Sequence, residues 1–108
     1  MNIPEILSRY AAGQRDFRKT NLIAANLRSV NLSGADLSGA DLRGANLTKA
    51  NLSHVNLSNA VLAGANFTQT NLTSANLSDI DLNGVNLDLA CLNGAILPNG
   101  VSSNLISQ

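Results

Sequence analysis

Few side chains in this 108-residue sequence stand where chemistry could begin. Its single histidine, His54, has no second His and no Cys at a metal-ligand spacing, so it cannot seed the tetrahedral N/S set that holds zinc. Serines and aspartates are plentiful, but one histidine among them makes no Ser-His-Asp arrangement. Cys91 has no second cysteine with which to form a disulfide. No Lys, Arg or His lies near it in sequence to favour a thiolate, so it is expected to be an inert, half-exposed thiol. The acids Asp36, Asp41, Asp79, Asp81 and Asp88 are scattered along a repetitive polar background rather than paired across a cleft. The expectation is a chain with no catalytic, cofactor-binding or metal site, no cofactor, and no enzyme activity.

Charge and composition narrow the partners. Seven basic and seven acidic residues cancel, and charged residues make up only 13% of the chain. A neutral total lacks the basic surface with which nucleic-acid binders displace counterions, and 3% aromatics furnish few stacking platforms. Neither a secretory leader nor a membrane-length apolar run is apparent, so a cytoplasmic location with no membrane partner is expected.

The elements that must carry these residues follow from an internal period. Every fifth residue from Phe17 to Leu97 is Leu or Phe, seventeen times without a gap. Two positions earlier stands a small or β-branched residue, ten times Ala and otherwise mostly Val, Thr or Ile. Immediately before the large residue comes Asn or Asp in fourteen of the seventeen units, with Val61, Cys91 and Ile96 as exceptions. Five residues advance an α-helix by about 500°, which places successive leucines about 140° apart and makes no stripe. A straight strand repeats every second residue, so an odd spacing would send alternate leucines to opposite faces. Each unit must therefore contain a bend that re-aims the next leucine inward.

Within a unit the small residue and the leucine, two apart, share the inner side of an extended segment, and Asn or Asp points out between them. The other two residues turn the chain. Gly34, Gly39, Gly44, Gly64, Gly84 and Gly94 fall at one turn position, where positive φ is free of steric penalty for glycine. Lys49, His54 and Gln69 occupy the same position, so glycine is favoured there without being required. The result is a tube filled by alternating large and small side chains.

The run Ala35-Asp36-Leu37-Ser38-Gly39-Ala40-Asp41-Leu42-Arg43-Gly44-Ala45-Asn46-Leu47 resembles the pentapeptide-repeat family, and the likeness extends over about residues 15–99. The resemblance implies an all-β fold: a right-handed quadrilateral parallel β-helix of four units per coil and about four coils. No twenty-residue sub-period is visible among the inner residues, so four-sidedness rests on the resemblance alone. Members of the family that protect or inhibit gyrase look like long, acidic, dimeric rods. This short neutral chain fits that alternative, a DNA-mimicking topoisomerase inhibitor, poorly.

The ends of such a tube need covers. Ile3-Pro4-Glu5-Ile6-Leu7-Ser8-Arg9-Tyr10-Ala11-Ala12-Gly13 reads as a short helix with Pro and Glu in its first turn and Gly past its end. Its Ile3, Ile6, Leu7 and Tyr10 share a face suited to the first coil. The expected division is a helical cap over 1–14, the repeat column over 15–99 and a tail over 100–108. Only Val101, Leu105 and Ile106 of that tail are apolar, a thin cover for Leu82, Leu87, Leu92 and Leu97. Two outcomes follow: a homodimer through the C-terminal end, or a monomer in which Leu105 and Ile106 fold back and close it. Residues 1–49 carry a net charge of +3 and residues 50–108 a net charge of −3, so the column is expected to be electrically polar. Taken with the missing catalytic groups, the pattern predicts a structural or protein-interaction module whose macromolecular partner has no motif to name it.

Overall fold

The computed structural model describes residues 1–101. Twelve isolated parallel bridges, from Asp16↔Asp36 to Asn76↔Ile96, each join a residue to the one twenty positions later. Four five-residue units therefore separate stacked partners, and the units fall into four columns named here by their first large residue: the Phe17, Leu22, Leu27 and Leu32 faces. Extents of 37 × 23 × 22 Å, with two short axes nearly equal, are those of a column.

No extended strand is found among the described residues; pairing is by single-residue bridges. The bend in every unit explains this, because only the residue before each leucine has both its own amide and its own carbonyl in the ladder. On the Leu32 face, for example, Asn51 donates to the Val30 carbonyl at 2.8 Å, and its own carbonyl accepts from Leu32 at 3.0 Å. Gly34 adds a third bond to the Ser53 carbonyl at 2.9 Å. Each unit then closes on itself, as when Ala35 donates to the Leu32 carbonyl at 3.0 Å.

Turn geometry agrees with the sequence. All sixteen residues at the second turn position, from Lys19 to Gly94, have positive φ, including ten that are not glycine. A left-handed conformation costs a non-glycine residue about 1–2 kcal/mol. The bend is therefore imposed by the ladder and the packed interior rather than by local preference, and His54 at φ 59° is an exposed example.

The interior holds the predicted residues. Phe17, every leucine from Leu22 to Leu62, Phe67, Leu72 and Leu77 are buried, with Ala35, Ala40, Ala45, Ala50, Ala65 and Ala75 between them. At the N-terminal end α1, Ile3–Ala11, lies over the first coil. Asn2 caps it by accepting the Glu5 amide at 2.8 Å, and Gly13 leaves it at φ 105°. Ile6 of α1 is fully buried against the core, and Ile3, Leu7 and Tyr10 pack beside it. The Tyr10 hydroxyl donates to the Ser33 carbonyl at 2.6 Å, which ties α1 to the Leu32 face. The far end differs: Leu82, Leu92 and Leu97 are only partly buried. Residues 102–108, which include Leu105 and Ile106, lie outside the described residues.

Candidate functional site

The outer faces are the surfaces left for function, and their most repeated feature is local. The Asn or Asp before each leucine turns its side chain back onto its own turn. Asn31, Asn46, Asn51, Asn56, Asn66, Asn71 and Asn76 each accept the backbone N–H two residues later through Oδ1. Asp36, Asp41, Asp81 and Asn86 do the same. Where the residue two later is Thr48, Ser53, Thr68 or Ser78, its hydroxyl adds a second bond to the same oxygen. These side chains were expected merely to point outward; they are instead turn locks, an Asx-turn repeated along the column. The small residues that give the faces their polar character are largely occupied with the fold.

The three exceptions sort themselves on this basis. Ile96 lies two residues before Pro98, which has no N–H to be accepted. Cys91 puts its sulfur where the carboxamide oxygen usually sits: it is 3.2 Å from Thr73 Oγ1 and takes a hydrogen bond from the Asn93 amide. Those bonds, first that of Thr73 and then that of Asn93, hold the thiol below its ordinary range. The expectation that nothing would lower it considered charges in sequence and missed a hydroxyl one coil away. Val61 alone has neither arrangement, and it stands half exposed in its column.

Ion pairs take up part of the basic half. Arg18 and Asp16 meet at 2.9 Å, and Arg43 and Asp41 at 2.6 Å, each on its own turn. Both carboxyls are held below their ordinary value of 3.8, chiefly by the side-chain hydrogen bonds from those guanidinia. Arg9 pairs with Glu5 along α1, and Arg15 lies 3.8 Å over the Tyr10 ring. Among the described residues Asp79, Asp81 and Asp88 enter no ion pair. The structure brings none of the five scattered acids together with His54 or Cys91, and the described residues hold no cluster of three metal-ligating groups.

Hollows nonetheless open on the outside of the filled tube. A hollow of about 600 Å³ lies against the last coil, lined by Ile80, Leu82, Val85, Leu87, Pro98 and Val101 among others. A shallower slit of about 300 Å³ opens on the side, between Asn59–Ala63 and Asp79–Asn83. Both border the Leu22 face where the last coil begins. No helix among the described residues is long and apolar enough to cross a membrane.

The family model of pentapeptide repeats matches residues 16–48, 50–88 and 60–99, with eight copies. No curated protein matches the chain. Among solved structures, a pentapeptide repeat protein from Nostoc PCC 7120 is 36% identical with a TM-score of 0.82, over 94% of this chain and 88% of that one. A pentapeptide repeat protein from the thylakoid lumen of Arabidopsis thaliana is 37% identical with a TM-score of 0.65, over 68% of this chain and 50% of that one. The unbroken register, the twenty-residue bridging and these matches agree, and the chain belongs to the pentapeptide-repeat family.

Proposed function

We propose that this chain is a non-enzymatic scaffold or interaction module, a right-handed four-sided β-helix that presents its flat outer faces to a protein partner. The observation that carries the reading is the occupancy of its polar groups. The repeated Asn and Asp side chains lock turns, the interior is filled, and no buried side-chain polar atom among the described residues lacks a partner. A surface whose polar groups are so fixed recognises by shape and by placed charges rather than by a reacting group. The basic first half and acidic second half give that surface a direction. The partly buried last coil supports a second association, with another copy of the chain at the C-terminal end.

Photo-crosslinking residues at Ser38, Arg43, Thr68 and Thr73, one on each face, test the main reading in extracts of the source cells. One polypeptide cross-linked reproducibly from one face, and not from the opposite face, is the expected result. Equal diffuse labelling from all four faces would overturn it.

A further inference from the structure

Among the described residues, the ladder that joins the other stacked units is interrupted once, on the Leu22 face. The bridge Val61↔Asp81 is missing from the series. Three bonds are absent with it: Leu62 N–H to the Asp81 carbonyl, Gly64 N–H to the Asn83 carbonyl, and Asp81 N–H to the Ala60 carbonyl. One coil earlier on the same face their counterparts, Leu42 to Val61, Gly44 to Ala63 and Val61 to Ala40, measure 2.8, 3.0 and 2.9 Å. The preceding turn is open too, since Ile80 N–H does not reach the Leu77 carbonyl, whereas Ala60 reaches Leu57 at 3.0 Å. Asp79 likewise lacks the ladder bond that Asn59 makes to Ser78 at 3.2 Å.

Two departures from the repeat coincide here. Ile80 takes the inner small position held by Thr20, Ala40 and Ala60 in the coils before it. Three extra carbons over Ala in a packed tube are accommodated by moving backbone. Val61, meanwhile, supplies no side-chain oxygen for the Ala63 amide. The side slit and the end hollow lie on either side of the same stretch, so it has room to move both ways. Its limits are firm. Leu77 donates to Ile96 at 2.7 Å, and Asn86 donates to Ala65 at 3.1 Å. At the glycine corner a Cβ on Gly84 would meet Gly64 N at 3.8 Å, as one on Gly64 would meet Gly44 N.

We propose that residues 79–83 form a strap that opens from the column on its own, uncovering Leu62 while the other three faces stay closed. The opening is a conformational device set by Ile80 and Val61, a low-stability unit inside an otherwise cooperative stack.

Thiol labelling tests it in a Cys91→Ser background under native conditions. Leu62→Cys and Leu42→Cys remove the same buried side chain from the same face, 2% and 0% exposed. Leu62→Cys is expected to react about a hundredfold faster than Leu42→Cys, at a rate insensitive to low urea, as local opening requires. Hydrogen exchange of the unmodified chain gives a second reading that no substitution can spoil. The Val85 amide, bonded to Leu82 at 3.1 Å, should exchange at least about tenfold faster than those of Ala90 and Ala95, bonded alike at 3.0 Å in the same last coil. Ile80→Ala should slow it towards theirs. Equal exchange at Val85, Ala90 and Ala95, or labelling of Leu62→Cys only as fast as Leu42→Cys, overturns the proposal.

Discussion

From inside the column Thr70 donates its hydroxyl to the carbonyl of Leu47, one coil earlier, at 2.7 Å. The same carbonyl accepts the Ala50 amide at 2.9 Å, so a wholly buried threonine shares an acceptor that the turn already uses. Thr70→Val keeps the shape and leaves the Leu47 carbonyl bonded to Ala50. Its cost should therefore be that of one net hydrogen bond, about 0.5–1.5 kcal/mol, without the larger penalty of an orphaned buried group. Urea denaturation midpoints at constant m-value measure it.

Turn locking makes a paired prediction. Asn66 accepts both the Thr68 amide at 2.9 Å and the Thr68 hydroxyl at 2.6 Å. Asn66→Ala should destabilise by about 1–2 kcal/mol, in the range of losing a helix cap. Val61→Asn restores the missing oxygen at the exposed unit and should stabilise by about 0.5–1 kcal/mol. Thermal midpoints that move in the same direction for both variants would contradict the role assigned to these side chains.

That pairing also marks where sequence reading stops. The leucine register, the small inner positions and the left-handed turn residues are visible because each repeats at five. Helix α1 is visible in Pro4, Glu5 and the apolar face of Ile3, Ile6, Leu7 and Tyr10, whereas its cap Asn2 shows only in the structure. The coil length is hidden, because all four faces use the same Ala-Asn-Leu grammar and nothing in it counts to twenty. For that reason Ile80 and Val61 look like two unrelated irregularities in the sequence. Only the bridging of residues twenty apart sets Val61 beside Asp81 and makes their column the interrupted one. Cys91 is obscure for the same reason, since Thr73, its hydrogen-bond partner, is eighteen residues away.

Inner and outer positions should respond differently to volume. Ala65 is buried two residues before Phe67, itself buried, whereas the Ser58 hydroxyl makes no hydrogen bond among the described residues. Ala65→Leu should cost about 1–3 kcal/mol by overpacking and Ser58→Ala less than about 0.5 kcal/mol. Chemical denaturation of the two variants side by side measures the difference, and equal midpoints would contradict the inward register.

Acid should act through the two Arg-paired aspartates. Because Arg43 holds the folded Asp41 carboxyl below its ordinary 3.8, the pair favours the folded chain once the unfolded carboxylate is ionised. That contribution is present above the ordinary value and is lost as pH falls through the lower folded one. Arg43→Gln should therefore lower the denaturation midpoint slightly near about pH 6, with the gap closing by about pH 2. Arg43 is exposed and Asp41 half-buried at the surface, so added salt should shrink the gap as well. A gap that widens towards acid would show that Arg43 acts by some route other than Asp41.

The two ends of the column are built unequally, and their association should reflect it. Beneath α1, Phe17, Leu22, Leu27 and Leu32 are no more than 2% exposed. At the other end Leu87 is 7% exposed and Leu82, Leu92 and Leu97 are only partly buried among the described residues. The ladder donors that would point to a further coil, such as the amides of Leu87, Leu92 and Leu97, have no backbone acceptor among those residues. Parallel edges of this kind template another strand, and a two-fold axis through the end would bury the same leucines from each copy. Unmodified chain should sediment as a dimer at high micromolar concentration. The double variant Leu92→Lys, Leu97→Lys should sediment as a monomer, because it places four like charges in that contact. The sides, lined by locked Asn and Asp, give no comparable apolar patch, so Arg43→Glu should leave the dimer intact. Unmodified chain that remains monomeric at that concentration rules out the end-to-end pair.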